Sequence, residues 1–157
     1  MRTGKIMLYD PHTGHRVKQP YNHIDWVHKQ LHAPSFQLSQ CLFGLHQLRC
    51  RSKEKLIGLV EGEKTARIAS GYCPELIWLS VGSLHQLSLE RCKPLRGRRV
   101  VLFPDTGGWA LWHAKGKKLQ QELGSPVQVS DWLEQLVPTL AKQEGLDLAD
   151  VLVRSSH

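Results

Sequence analysis

The chain has 157 residues, 41% of them hydrophobic, which suits one domain with a sizeable core and a small N-terminal appendage. Its formal charge of +7 points to a polyanionic partner such as nucleic acid. No stretch approaches the length of a membrane span, and Met1-Arg2-Thr3-Gly4-Lys5 leads into no signal-peptide segment, so membrane classes are excluded and a cytoplasmic protein is expected.

Lys5 to Tyr9 reads as a strand, Asp10-Pro11-His12-Thr13-Gly14 as a turn and His15 to Lys18 as a return strand, together a hairpin. Ile24 to Leu31 reads as a helix with Ile24, Val27 and Leu31 on one face, and Ala33 to Gln40 as a connection. The four cysteines, Cys41, Cys50, Cys73 and Cys92, contain no C-x-x-C pair. Cys41, His46 and Cys50 have poor spacing for zinc, so free thiols are expected.

From Lys55 the pattern changes. Strand Leu56–Val60 meets Glu61-Gly62-Glu63, and a helix follows through Lys64–Ser70, broken by Gly71 and Pro74. Strand Leu76–Leu79 precedes a helical piece from Leu84 to Cys92, and strand Arg99–Phe103 ends at Asp105. A helix from Trp109 to Leu123 stops at Gly124, with Trp112, Gly116, Leu119 and Leu123 on one face. Val127–Val129 reads as a strand, with helical starts at Asp131 to Leu136 and Thr139–Glu144, and a further helix capped by Asp147. Strands alternating with helices predict an α/β fold, a mostly parallel sheet covered on both faces and preceded by a small β-hairpin region. The division is drawn as residues 1–54 and 55–157.

Glu61 and Asp105 both follow apolar strands and precede glycine and a helix, which places two carboxylates at one edge of the sheet, where open α/β sheets bind ligands. Lys64 and the amides after Gly62 suit a phosphate at a helix N-terminus. Glu63 and Leu59 stand where a Walker A loop needs glycine, which excludes that ATPase motif. Basic residues cluster in Arg49-Arg51-Lys53-Lys55, Lys93-Arg96-Arg98-Arg99 and Lys115-Lys117-Lys118, each a candidate for phosphates or simply a solvated face.

The order LVEGEKTA, LSVG, VVLFPDTGG resembles a Toprim domain, and most of all the primase-like group of Bacteroides and their mobile elements. Gln40-Cys41-Leu42-Phe43-Gly44-Leu45-His46 is similar to a segment that precedes the catalytic sheet of bacterial primases. The resemblance implies a primase-like domain that binds DNA, with RNA as the alternative, and carries out Mg²⁺-dependent nucleotidyl transfer in replication beside a helicase or other replication proteins. It implies that Glu61 and Asp105 are catalytic and that Glu61, Asp105, Asp147 and Asp150 hold a weakly bound Mg²⁺. Lys64, Gly82, Ser83, Arg98, Arg99 and Lys115 are then the phosphate- or nucleic-acid-binding residues. The family's second Asp falls on Gly107, so the implied ion lacks a ligand, which leaves an inactive nucleic-acid-binding module and a nuclease as the other readings. A zinc module found upstream in related proteins is expected to be missing from this chain.

Overall fold

The computed structural model describes residues 4–32, 34–37, 40–136 and 146–155. The helix expected over Thr139–Glu144 lies outside the described residues. The chain divides into two compact units, residues 1–40 and 41–157.

In the first unit, β1 (Lys5–Met7) pairs antiparallel with β2 (Ile24–Trp26), Ile6 lying opposite Asp25. The expected turn forms: the Gly14 amide donates to the Asp10 carbonyl, and the Asp10 carboxylate accepts from the His12 and Thr13 amides. The return strand, however, contributes only a single bridge between Tyr9 and Arg16. The partner of β1 is instead the segment expected to open a helix, and helical structure is confined to α1 (Val27–Gln30). A β-branched residue and an aromatic flank Asp25 in β2, a composition that favours a strand over the first turn of a helix.

In the second unit, β3 (Ile57–Val60), β4 (Ile77–Ser80), β5 (Val100–Phe103) and β6 (Val127–Val129) form one parallel sheet in the order β4-β3-β5-β6. α2 (Glu63–Tyr72) links β3 to β4, and α4 (Trp109–Leu123) links β5 to β6. α3 (Leu89–Cys92), flanked by 3₁₀ turns at Leu84–Gln86 and Lys93–Leu95, replaces the single helical piece expected from Leu84 to Cys92. Leu87 and Ser88 are extended between the first turn and α3, in keeping with the preference of serine for helix starts over helix interiors. α5 (Trp132–Leu136) and α6 (Leu148–Arg154) complete the described elements.

Alternation along the strands sends side chains into two cores. Ile57, Leu59, Ile77, Leu79, Val100 and Leu102 pack with Trp112, Leu119 and Leu123 of α4 on one face. Val60 and Trp78 pack with Ala66 and Ala69 of α2, Leu133 of α5, and Leu148 and Val151 of α6 on the other. The fold is therefore α/β, a parallel sheet covered on both faces. Two glycines admit this packing. A Cβ on Gly58 would lie 2.4 Å from the Trp78 ring, and one on Gly116 would lie 2.8 Å from Val129. The 41–54 segment belongs to this unit: Leu42 is buried in the first core, Phe43 and Ser80 exchange backbone hydrogen bonds, and Gln47 Nε2 donates to the Trp78 carbonyl at 3.1 Å.

Candidate functional site

β3 runs through α2 outward to β4, while β5, on the other flank of β3, runs through α4 outward to β6. The two connections diverge between the C-terminal tips of β3 and β5, the position where open α/β sheets form a ligand crevice. Glu61 immediately follows β3, and Asp105 follows β5 after one proline. The structure brings them into direct contact, the Asp105 amide donating to Glu61 Oε1 at 3.2 Å. Glycine is required beside them: a Cβ on Gly108 would stand 3.2 Å from Glu61 Oε1 and 3.0 Å from the Asp105 carbonyl oxygen.

α2 and α6 supply the opposite wall. Lys64 Nζ lies 3.4 Å from Asp147 Oδ2 and 3.6 Å from Asp150 Oδ1. The buried Thr65 hydroxyl donates to Asp147 Oδ2 at 2.8 Å. Asp147 also caps α6, accepting from the Asp150 amide at 2.9 Å, while Asp150 accepts from the Asp147 amide at 3.1 Å. Of the two roles read for Asp147, the cap is present in the structure. The Thr106 amide bonds to the Leu146 carbonyl at 3.0 Å and ties the β5 loop to the start of α6.

Two carboxylates thus flank the Lys64 ammonium, with Asp105 and Glu61 beside them, and the electrostatics follow. Asp105 is pushed up to about 8, first by burial and then by the charges of Glu61, Asp147 and Asp150, with Lys64 opposing. Its Oδ1 is buried without a hydrogen-bond partner among the described residues, which disfavours the ionised form. Burial also raises Glu61, against the Asp105 amide and His85. Burial works against the charge of Lys64, but Asp147 and Asp150 outweigh it and hold the group above its ordinary range.

The donor chemistry of Glu61, Asp105, Asp147 and Asp150 is that of a hard divalent ion. Their arrangement is not: among the described residues, no group of three or more His, Cys, Asp or Glu side chains is placed to hold a metal ion. Asp147 and Asp150 turn toward Lys64, and Glu61 Oε1 is engaged by a backbone amide. Gly107, where the implied second Asp would stand, has φ +82 and is exposed, and its amide donates to Glu134 Oε1 at 2.7 Å.

The candidate phosphate-binding residues scatter. Gly82, at φ +97, donates its amide to the Glu61 carbonyl at 2.8 Å, and Ser83 opens the following 3₁₀ turn, so both border the crevice. Lys115 Nζ donates to the His85 carbonyl at 3.1 Å. Arg98 is buried, with its guanidinium on the carbonyls of Leu48, Arg51 and Ser52; its place is structural, away from a free phosphate surface. Arg99, exposed, donates to the Glu54 carbonyl at the N-terminal end of β5, the edge opposite Glu61 and Asp105.

Two residues escaped sequence reasoning. Glu134 of α5 accepts from the Gly107 and Trp109 amides, at 2.7 and 3.3 Å, and so puts a carboxylate on the N-terminus of α4. His85 lies close enough to Glu61 to favour its ionised form. No local signal marks either one, because each role arises only when distant segments meet. Trp109 stacks on His113, with ring centroids 4.5 Å apart.

Residues 1–106 match a family described as a domain of unknown function, DUF6371. The matched span takes in β3, β4 and β5 with Glu61 and Asp105, and ends before α4, Asp147 and Asp150. No curated protein and no solved structure matches the chain. With two thirds of its length covered, this chain belongs to the DUF6371 family.

Proposed function

We propose that this chain is a Toprim-like, primase-related domain that binds single-stranded or primer-like nucleic acid, and that Lys64 stands in for the divalent ion used by catalytic relatives. The observation that carries this reading is the Lys64 ammonium, 3.4 and 3.6 Å from Asp147 and Asp150, within the same acidic group as Glu61 and Asp105. An ammonium balances carboxylate charge but offers no open coordination position to polarise a phosphoryl oxygen. Binding without phosphoryl transfer is the consequence. The charge of +7 supports a polyanionic ligand.

The test has two arms. Fluorescence anisotropy with a single-stranded oligonucleotide and a chelator present should show binding at about 50 mM salt that weakens steeply as salt rises. Absence of binding there sinks the nucleic-acid reading. Calorimetric titration of Mn²⁺ should give weak or no uptake by the wild type and at least about tenfold tighter uptake by Lys64→Met, since the variant exposes two carboxylates to one another uncompensated. Equal uptake by the two folded proteins means that Lys64 does not stand in for an ion.

A further inference from the structure

The two ends of the parallel sheet carry opposite charge. Glu61, Asp105, Asp147 and Asp150 gather at the C-terminal tips. At the N-terminal edge the chain brings together basic side chains from two separate segments. Arg98, just before β5, holds the 48–52 backbone through its bonds to the carbonyls of Leu48, Arg51 and Ser52, at 3.0, 3.4 and 2.8 Å. Arg99 reaches the Glu54 carbonyl at 3.2 Å, and Arg96 the Glu122 carbonyl at 3.2 Å in the last turn of α4. These partners are carbonyls, so they orient the guanidinium groups without neutralising them. Arg49, Arg51 and Lys53 are exposed and form no side-chain hydrogen bond or ion pair among the described residues. The acids alongside are Glu54, whose carboxylate accepts from the Ser52 hydroxyl, and the exposed Glu75 and Glu122.

We propose that this edge, with Arg49, Arg51, Lys53, Arg96 and Arg99, is the face on which a nucleic-acid strand docks through its phosphates, away from the acidic crevice. The inference rests on the nucleic-acid reading above and assigns it a surface. A polyanion is repelled at the crevice end, where carboxylates outnumber Lys64, and attracted at the edge, where charge is left unpaired. The cations at alternate positions 49, 51 and 53 are exposed and separate. Such groups grip a polymer of phosphates better than one small anion, because each contact is weak and the contacts sum. Arg98 then acts as a positioning residue, fixing the backbone that carries Arg51 and its neighbours.

The experiment removes the same charge from two places. In one variant Arg49, Arg51 and Lys53 are changed to Ala; in the other Arg67, Lys117 and Lys118, exposed cations of α2 and α4, are changed to Ala. Neither set touches the core, and thermal unfolding verifies the fold of both. Anisotropy with a single-stranded oligonucleotide should show at least about tenfold loss of affinity for the edge variant, and a salt slope lower by about 2, since each lost contact to a single strand removes about 0.7. The control variant should lose less than about threefold, the part due to net charge alone. Equal losses in the two variants overturn the edge assignment, as does an unchanged edge variant beside a weakened Lys115→Ala; in both cases the nucleic-acid reading stands. A wild type that binds no oligonucleotide overturns both. Wild-type binding to phosphatidylserine vesicles in place of the oligonucleotide overturns the nucleic-acid strand as the partner.

Discussion

Asp105 links residue chemistry to the stability of the whole fold. The folded protein holds its proton up to about pH 8, whereas an unfolded chain releases it near the ordinary value of 3.8. Between those limits the folded state binds more protons, so this group's contribution to stability falls as pH rises from about 4 to about 8, and is level outside the window. Glu61, raised in the same direction by burial, contributes with the same sign. Asp105→Asn keeps the shape and removes the titration. Its melting temperature should exceed that of wild type by at least about 5 °C at pH 8.5 and match it within about 1 °C near pH 4, read by circular dichroism. A constant difference at both pH values would mean that Asp105 is ionised throughout. Sequence reasoning reached Asp105 and Glu61 because each follows an apolar strand, a signal written within a few residues. It misassigned Arg98 because a cluster of basic residues reads as surface. Nothing local reveals that one guanidinium in the cluster is needed by the carbonyls of a segment nearly fifty positions away.

At the scale of elements, α6 shows how a short helix is fixed by its first turn. It spans only Leu148–Arg154, too short to persist alone, and gains order from the Asp147–Asp150 capping box and from Leu148 and Val151 in the second core. Asp147 also receives the Thr65 hydroxyl and Lys64, so it ties α6 to α2. Asp147→Ala should therefore cost about 2 kcal/mol, more than an ordinary cap, because Thr65 loses its buried acceptor. Asp147→Ser, which preserves the cap, should recover about half of that in urea denaturation. A loss no greater than for a surface residue would separate α6 from α2 energetically. Elements of this kind were legible in the sequence: the Asp147 cap, the Gly124 terminus at φ +60, and the α4 face of Trp112, Gly116, Leu119 and Leu123, all buried. In the N-terminal unit the strand from Lys5 and the Asp10–Gly14 turn were legible but the partner strand β2 was not, for a physical reason. β2 is three residues long and pairs with β1 across a long intervening loop, so it carries no period long enough to identify it.

For the molecule as a whole, the sheet order β4-β3-β5-β6 sets β3 and β5 side by side at the centre of the sheet. The tips of β3 and β5 carry Glu61 and Asp105, while residues 41–54, which have no regular element beyond a 3₁₀ turn at Leu45–Arg49, run from the Ser80 end of β4 to Arg98 at the opposite edge. That segment is part of the fold all the same. Leu42 is 1% exposed within the first core, Gly44 at φ +77 lets the chain pass 2.9 Å from the Trp78 carbonyl oxygen where a Cβ would stand, and Arg98 anchors three of the segment's carbonyls. A chain starting at Cys41 keeps all of this and should unfold cooperatively in urea as one unit. A chain starting at Lys55 removes Leu42, which by analogy with large-to-small core substitutions costs about 3 kcal/mol. It also leaves Arg98 buried without its acceptors, worth about another 3 kcal/mol. Against a total stability of about 5–15 kcal/mol, that loss should leave the shorter chain with a broad, weakly cooperative transition or none. Matching urea midpoints for the two chains would mean that the 41–54 segment merely lies on the sheet, and that the acidic crevice is built by residues 55–157 alone.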